Sequence, residues 1–352
     1  MLNQTFQTIY PIGLELLDRG LLPDFVLRES IRRMIAIRLA EESEGGPEAQ
    51  QERKSAFIEH MKKAPIAYST DEANLQHYEL PVAFFEMVLG KHCKYSCAHW
   101  PKGVTALDEA EESMLELYCE RAQLKNGQKI LELGCGWGSL TLHLAQMYPK
   151  SHITAVSNSR LQKAYIENKQ KEFKLKNIHI ETADMNIFET DEKFDRVISI
   201  EMFEHMRNWK EMFRKIANFL KKDALFFMHI FSHQRFAYPF EVEGKEDWMA
   251  RHFFTGGMMP SDDLPLYFQD NLKLKKHWQL DGKHYQKTAE AWLKKMDGYK
   301  EPIQQLFHQF YGSKEAKKWW VYWRVFFMAC AEVWGFDHGR QWIVSHYLLQ
   351  AR

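Results

Sequence analysis

Two carboxylates and an imidazole stand close together in residues 200–206, Ile-Glu-Met-Phe-Glu-His-Met. Glu201 and His205 are four residues apart with Glu204 between them, so a helix beginning here would place Glu201 and His205 on one face. A carboxylate can hold a cationic group, and an imidazole can accept a proton near neutral pH. The structural alternative is that the glutamates favour a helix N-terminus and that His205 is a surface residue. Because all three follow a predicted strand, we interpret them as a proton-handling catalytic site.

A glycine-rich turn elsewhere in the chain indicates the ligand for this chemistry. The apolar segment 129–133 predicts a buried strand, and the periodic segment 139–147 predicts the helix that follows it. Between them stand Gly134, Gly136 and Gly138. Glycines suit such a turn because a side chain would keep the backbone from the ligand, and because some positions need a positive φ. An ordinary tight turn is the structural alternative.

The spacing of these glycines separates two classes of nucleotide site. A dinucleotide fingerprint reads G-x-G-x-x-G and expects an acidic residue about 20 residues further on. Here the third glycine comes one residue early, Glu132 precedes the first glycine, and Asn158 stands where the acid would be. The pattern Glu-x-Gly-x-Gly-x-Gly resembles motif I of the class I methyltransferases, which use S-adenosylmethionine. The chain has no Gly-Lys-Ser/Thr phosphate loop, which argues against a nucleoside triphosphate.

The ends of the predicted strands supply further candidate ligand contacts. Strands and helices alternate regularly from Lys129 onward, which predicts a parallel sheet covered on both faces. Ligands of such sheets bind beyond the carboxyl ends of the strands. Asn158 and Gln162 follow the second strand and are candidates for the ribose or methionine end, and Asp184 follows the third and could bind the adenine amino group. Turn formation and helix capping are the structural alternatives for Asn158.

The predicted fold is α/β, a Rossmann-like class I methyltransferase with a seven-stranded, mostly parallel sheet and helices on both faces. Residues 1–115 are expected to form an N-terminal helical extension or lid, with two helices in 10–43 and an exposed loop at 41–53. Residues 116–352 form the methyltransferase domain, with a substrate-covering helical insertion at about 235–335. The expected strands are 129–133, 152–156, 177–182, 194–200, 224–231, 272–280 and 341–350. Later helices are expected at 139–147, 160–174, 208–221, 288–311 and 314–334.

Composition limits the expected partners and compartment. Lys+Arg and Asp+Glu both number 47 in the 352 residues, so no overall charge favours nucleic acid. Five cysteines in no metal-ligand array predict reduced thiols and no metal. Residues 1–4, Met-Leu-Asn-Gln, do not show the charged region and apolar core of a signal peptide, so export is not expected. The most apolar stretch, 319–334, is expected to be too short for a transmembrane segment. We therefore expect a cytoplasmic protein with a small-molecule partner. The sequence leaves a homodimer open.

Several longer motifs carry a resemblance to a known family. The chain resembles the cyclopropane fatty acid synthase family at Tyr95–Trp100, Ile130–Gly138, Met202–His205 and His229-Ile230. Within that family it is more similar to the coclaurine N-methyltransferase branch at Leu14–Leu39, Thr105–Glu111, Leu117–Gln123, Glu201–Asn208, Tyr267–Asp270 and Gly282–His284. The resemblance spans essentially the whole chain.

The resemblance implies roles for particular residues. The implied cofactor is S-adenosylmethionine, and its expected binding residues are Tyr95, Ser96, Glu132, Gly134, Gly136, Gly138, Asn158, Gln162, Asp184 and Ile200. The N-methyltransferase branch uses a Glu-x-x-Glu-His motif for ammonium binding and proton removal, which maps onto Glu201, Glu204 and His205. The lipid branch holds a bicarbonate ion, the base for cyclopropane closure, with residues that match Cys97, Glu204, His229 and Tyr285.

Three functions remain to be separated. The favoured one is methylation of a small, aromatic or alkaloid-like amine. The alternative is a cyclopropane synthase that modifies unsaturated lipid with bicarbonate as base. Glu201 favours the amine, because the lipid branch commonly has glycine there, and Tyr285 favours the lipid, because the other branch tends to have phenylalanine. The third, a non-catalytic S-adenosylmethionine-binding protein, is disfavoured because the acidic and imidazole groups are intact.

Overall fold

The main sheet has seven strands, and its order brings the ends of the first strands to one edge. The structure is a computed structural model that describes residues 13–68, 80–241 and 248–352. The strands of the main sheet are β1 (Lys129–Leu133), β2 (His152–Ser157), β3 (Ile178–Thr182), β4 (Phe194–Ile200), β5 (Leu220–His233), β8 (Leu272–Leu280) and β9 (Trp342–Ala351). A separate pair is β6 (Tyr238–Pro239) and β7 (Met258–Met259). The order in the main sheet is β3-β2-β1-β4-β5-β9-β8, with β1 to β5 parallel and β9 antiparallel to both neighbours.

Helices precede, flank and follow the strands. They are α1 (Asp24–Ser43), α2 (Gly46–Lys63), α3 (Val82–Val88), α4 (Leu107–Arg121), α5 (Ser139–Met147), α6 (Arg160–Glu172), α7 (Trp209–Phe219), α8 (Trp248–Phe253), α9 (Lys283–Gly298), α10 (Lys300–Tyr311) and α11 (Ala316–Gly335). Short 3-10 turns lie at Phe203–His205, Leu264–Phe268 and Phe336–Gly339. None of the helices in the described ranges, α11 included, combines the length and apolar character that a membrane crossing needs.

Both faces of the sheet are buried, because successive strand residues point to opposite sides. On β1, Ile130 packs into one hydrophobic core and Leu131 into the other. On β5, Phe227 joins the first core and Phe226 the second. This is why the strands read as continuous apolar runs rather than alternating ones. The predicted α/β fold with a seven-stranded, mostly parallel sheet is confirmed.

Some local predictions need correction. Most of the predicted loop at 41–53 is helical: α1 ends at Ser43 and α2 begins at Gly46, with Pro47 in its first turn. Gly45 and Gly46 at this junction take positive φ values of 77° and 76°. The predicted helix 288–311 is two helices, α9 and α10, which meet at Tyr299. The segment 235–335 also contains β8, a strand of the main sheet.

The predicted domain division stays a prediction. Its boundary at 115/116 falls inside α4. The start of the first predicted helix at residue 10, and residues 242–247 of the insertion, lie outside the described residues.

Ion pairs dock α1 onto the C-terminal helices. The Arg28 guanidinium binds Glu290 at 2.6 Å and Glu332 at 2.7 Å. In the other direction, Arg324 of α11 binds Asp24 at 2.8 Å and Asp297 at 2.7 Å. The N-terminal helix is therefore attached to α9 and α11, by charged groups that lie partly in solvent.

Candidate active site

A cleft opens at the carboxyl ends of β1, β2, β3 and β4. It encloses about 750 Å³, counting the space at its open mouth. Its lining residues are Ala67, Tyr68, Gly134, Gly136, Val156, Ser157, Asn158, Gln162, Ala183, Asp184, Met185, Glu201, Met202, His205, Met206 and Thr255. Seven of the predicted site residues lie together in this lining, as expected for residues at the carboxyl ends of parallel strands. They are Gly134, Gly136, Asn158, Gln162, Asp184, Glu201 and His205.

Other predicted cofactor residues lie outside this lining, and their roles stay predictions. Tyr95 packs between Phe85 and Trp292, and Ser96 accepts a hydrogen bond from buried Lys94. Glu132 is 2% exposed and accepts a hydrogen bond from Thr141 of α5. Gly138 and Ile200 are also absent from the lining.

The three glycines of the turn after β1 have different surroundings. All have positive φ: 77° at Gly134, 53° at Gly136 and 78° at Gly138. A Cβ atom on Gly138 would come within 2.6 Å of the Ile166 side chain, and one on Gly134 within 2.9 Å of Met202. A Cβ atom on Gly136 would meet no protein atom within 4 Å, and this residue lines the cleft. Only Gly136 thus leaves open space for a ligand against its backbone.

A buried amide beside the cleft lacks a partner in the described part of the chain. Gln162 Oε1 accepts a hydrogen bond of 2.6 Å from Ser157, while Nε2 has no partner there. Buried amide donors normally have one, so Nε2 fits a polar ligand in the cleft. Ser159, rather than Asn158, caps α6, since its side chain accepts from the Gln162 backbone. Asn158 is therefore a lining residue and not the helix cap. The cleft fits a polar, nucleoside-like cofactor at this end.

The backbone at Glu201 rules out the predicted helix face. Glu201 has a φ of 46°, and only residues 203–205 form a 3-10 turn. Glu201 and His205 therefore do not share a helix face, and that prediction is wrong. A positive φ is rare for a residue with a long side chain and natural for glycine. It turns the Glu201 side chain back into the protein, where it is 8% exposed.

Three donors converge on the Glu201 carboxylate. The Cys97 backbone N–H donates to Oε1 at 2.8 Å, and His229 Nε2 donates to the same oxygen at 3.0 Å. The Tyr285 hydroxyl donates to Oε2 at 2.7 Å. Burial alone would raise the pKa of Glu201, but the hydrogen bonds from His229 and the Cys97 N–H and the charge of Lys94 outweigh it and hold the pKa below its usual value. Glu201 is thus an ionised carboxylate at neutral pH.

Glu204 has the opposite character. It is fully buried, and its Oε1 accepts a hydrogen bond of 2.7 Å from the Phe231 N–H. Burial and the negative charge of Glu201 raise the pKa of Glu204 well above its usual value. This shift favours the neutral form of Glu204, which does not line the cleft, so this geometry does not support holding a cation there.

His205 lines the cleft and stacks on Phe254, with ring centroids 4.5 Å apart and an angle of 19°. Burial lowers its pKa to about 4, against the weaker opposing effect of Glu201. The expectation of a near-neutral pKa is therefore wrong. His205 is a neutral imidazole at physiological pH and can accept a proton.

Several lining residues were missed by the sequence reasoning. Ala67 and Tyr68 reach the cleft because the Asn186 side chain hydrogen-bonds both backbone groups of Ala67, at 3.1 and 3.2 Å. Their sequence contains no local motif that would indicate this. Met185, Met202 and Met206 also line the cleft. Their positions after strands could have been read by the same rule that selected Asp184.

The fold and the cleft together define a class of enzyme. A parallel sheet with a glycine turn after β1 and a nucleoside-sized cleft at the strand ends is the arrangement of S-adenosylmethionine-dependent methyltransferases, and this chain is one of them. Residues 67–338 match the family model described as mycolic acid cyclopropane synthetase. The chain belongs to this family.

Individual relatives define the branch. (S)-Coclaurine N-methyltransferase of Thalictrum flavum subsp. glaucum is 38% identical over 347 residues, covering 96% of this chain and 95% of that protein. Pavine N-methyltransferase of the same plant is 36% identical over 331 residues, with 92% and 93% covered. The crystal structure of coclaurine N-methyltransferase bound to N-methylheliamine and S-adenosylhomocysteine has a TM-score of 0.94 and 38% identity, covering 97% of this chain and 99% of that one.

The lipid branch is more distant. Cyclopropane-fatty-acyl-phospholipid synthase of Escherichia coli K12 is 26% identical over 242 residues, covering 66% of this chain and 60% of that protein. The predicted family, enzyme class and cofactor are confirmed.

Proposed function

We propose that this methyltransferase methylates the nitrogen of a small aromatic amine. The observation that carries the proposal is the position of the Glu201 carboxylate. It accepts hydrogen bonds from Cys97, His229 and Tyr285, three of the four residues that the resemblance assigned to bicarbonate. A carboxylate built into the chain thus takes the donors that a bicarbonate ion would need.

This geometry also explains the presence of a tyrosine at position 285, which in the sequence favours the lipid-modifying alternative. Its hydroxyl donates to Glu201, so it serves the carboxylate of the protein itself. A glutamate with a positive φ is strained, and such strain is found mainly where a side chain has a function. These two features favour the amine over the lipid.

The lining supports an aromatic acceptor. Tyr68 and three methionines, Met185, Met202 and Met206, contribute to the wall. Thioethers make favourable contacts with aromatic rings, and their flexibility lets them adapt to a ring system. An apolar amine that carries its positive charge on nitrogen would place its ring on this wall and its ammonium toward Glu201.

The side chains can then be given roles. S-adenosylmethionine, when bound, supplies an activated methyl group, and Gly134, Gly136, Asn158, Gln162 and Asp184 would hold it. Glu201 Oε2 accepts one hydrogen bond, from Tyr285, and a carboxylate oxygen can accept a second, from the substrate ammonium.

An amine must lose a proton before its lone pair can react, and neutral His205 accepts that proton. Glu204 is given no part in the proton transfer, because it lies outside the lining of the cleft and accepts a hydrogen bond from the Phe231 N–H.

His205→Ala tests this role. We expect kcat to fall by about 10²-fold, the lower end of the range for general bases because the pKa of His205 is low. Affinity for S-adenosylhomocysteine, measured by calorimetry, should remain close to that of the parent. Raising the assay pH should restore part of the rate, since more of the amine then arrives deprotonated.

Phe254→Leu is the matched control for the His205 substitution. It removes the ring stacked on His205 but keeps the imidazole, so kcat should fall much less. A parental kcat in His205→Ala, or equal losses in both variants, would contradict the assignment of His205 as the base.

We also propose that the N-terminal helices act as a lid through contacts with the C-terminal helices. The lining of the cleft includes no residue of α1 or α11 in the described ranges. However, α1 is tied to α11 by an ion pair, and the ring of Trp334 of α11 packs against Tyr285 with ring centroids 4.2 Å apart and an angle of 31°. The lid would therefore act on Glu201 through Tyr285.

Removal of residues 1–40 tests the lid. Cofactor affinity should be kept, because the glycine turn and the strand ends are untouched. Amine turnover should fall modestly, because the packing of Trp334 against Tyr285, one of three donors to Glu201, is weakened. Calorimetry and a steady-state assay measure the two effects, and full turnover in the truncated protein would count against a lid.

A further inference from the structure

A chain of hydrogen bonds connects Glu201 to side chains that do not line the cleft. His229 Nε2 contacts Glu201 Oε1 at 3.0 Å, and His229 Nδ1 contacts His346 Nε2 at 2.9 Å. His346 Nδ1 in turn contacts Arg121 Nη1 at 2.7 Å. Both imidazoles are fully buried, whereas Arg121 is part-exposed and lies over the Trp278 ring at 5.0 Å. The hydrogen bonds thus connect Glu201, which follows β4, to a guanidinium at the end of α4.

The guanidinium fixes the position of every proton along this chain. Arginine has only donors, so His346 Nδ1 must accept and His346 must carry its proton on Nε2. That proton is donated to His229 Nδ1, so the proton of His229 lies on Nε2 and faces Glu201. A protonated His346 would place an N–H against the guanidinium, so neutral imidazoles are the consistent arrangement.

A second donor reinforces the same tautomer. The Tyr118 hydroxyl lies 2.9 Å from His229 Nδ1 and donates to it. Two donors therefore converge on Nδ1, and both leave Nε2 as the protonated nitrogen. Burial lowers the pKa of His229 and His346, in keeping with neutral rings.

We propose that Arg121 and His346 are positioning residues for the amine reaction: acting through His229, they direct an N–H at Glu201 and keep its carboxylate ionised for the substrate ammonium. This rests on the proposed function, in which Glu201 holds the amine. Neither Arg121 nor His346 lines the cleft, and nothing else in the proposed mechanism uses them.

Other charged and titratable groups lie close to these hydrogen-bonded residues and contribute to the electrostatic potential there. Those that act on Glu201 are Lys94, Cys97, Tyr118, Glu204, His205, His229, Tyr285 and Cys330. Lys94 and His99 also face His346, and Glu120 lies beside Arg121. Lys94 Nζ donates to the Cys97 carbonyl at 2.7 Å, so it holds the loop that donates to Glu201. None of these groups contacts His346 Nδ1, the atom that Arg121 controls.

The first experiment compares Arg121→Met with Arg121→Lys in the full chain. Methionine keeps an apolar stem over Trp278 but removes the donor. We expect the KM for the amine to rise about tenfold with a smaller change in kcat, and the acid limb of the pH profile to move up by about one unit, as Glu201 becomes easier to protonate. Lysine keeps a cationic donor and should restore most of both.

Arg196→Met is the matched control for a lost guanidinium near the same helix end. Arg196 Nε donates to the Ala122 carbonyl at 2.8 Å but does not contact the histidine chain. Its loss should lower the melting temperature without moving the pH profile. A shift equal to that of Arg121→Met would overturn the proposal.

A second pair keeps the test decisive if Arg121→Met does not fold. His346→Gln can accept from Arg121 and donate to His229, whereas His346→Leu can do neither. We expect the glutamine variant to keep the parental KM and pH profile and the leucine variant to lose them. Equal behaviour of the two variants would overturn the proposal.

The direct readout is nitrogen NMR of protein labelled with ¹⁵N-histidine, which distinguishes the two tautomers without any turnover. The parent should show His346 with its proton on Nε2, because Arg121 donates to Nδ1, and Arg121→Met should show a mixture of tautomers at His346. An unchanged tautomer would overturn this inference and leave the proposed function standing. Parental amine turnover in Glu201→Gly would instead overturn the proposed function, whatever the tautomers show.

Discussion

Glu201→Gly should lose amine turnover by about 10²-fold or more, because an amine whose ammonium is no longer held is misplaced for attack on the methyl group. The variant should remain folded, because glycine adopts the φ of 46° at this position without strain. The loss therefore reports the missing carboxylate and not a disturbed backbone. Steady-state kinetics with an amine panel, together with thermal unfolding, measure both quantities.

Added bicarbonate should partly restore this variant. Removing the carboxylate leaves the Cys97 N–H, His229 Nε2–H and Tyr285 O–H without their acceptor. Unpaired buried donors are costly, so a small oxyanion is favoured in the space that remains. Glu201→Gln should be as inactive but should not respond to bicarbonate, because its amide still fills that space.

Tyr285→Phe is the mild control for the Glu201 variants. It removes one of three donors to Glu201, so a small loss is expected. Bicarbonate stimulation of the parent, or a severe loss in Tyr285→Phe, would instead favour the lipid-modifying chemistry.

Gly136→Val should abolish binding of S-adenosylhomocysteine. Gly136→Ala should raise the Kd about tenfold or more, and each factor of ten corresponds to about 1.4 kcal/mol of binding free energy. The Cβ atom at residue 136 meets no protein atom within 4 Å and lies in the cleft wall. Added atoms there would occupy ligand space rather than protein core. Calorimetry gives the affinity, and circular dichroism with thermal unfolding confirms the fold.

Gly138→Ala is the control that distinguishes a clash with the ligand from a clash with the protein. Both glycines have positive φ, 53° and 78°, so an alanine is strained at either position. At Gly138, however, the new Cβ would come within 2.6 Å of Ile166, in the helix α6. We expect Gly138→Ala to lose stability and Gly136→Ala to lose affinity. Unchanged affinity in Gly136→Val would remove the glycine turn from the cofactor site.

Much of the architecture could be predicted from the sequence because it depends on local patterns. Apolar runs bounded by turns predicted the positions of the strands. The strand-end rule predicted that Gly136, Asn158, Asp184 and Glu201 would lie together, and all four line the cleft. Capping was less predictable, since Ser159 caps α6 and Asn158 lines the cleft. The α1–α2 junction was missed because two glycines before a proline read equally well as a loop.

The types of the reacting groups, two carboxylates and an imidazole after β4, were determined by the sequence alone. Their charge states were decided by the tertiary structure. Glu201 is ionised because donors from Cys97, His229 and Tyr285, distant in the chain, converge on it. The pKa of Glu204, three residues away, is raised because the side chain is buried beside that charge, and burial lowers the pKa of His205 to about 4. A pKa depends on solvent exposure and on neighbours brought together by folding, which no local spacing of residues encodes.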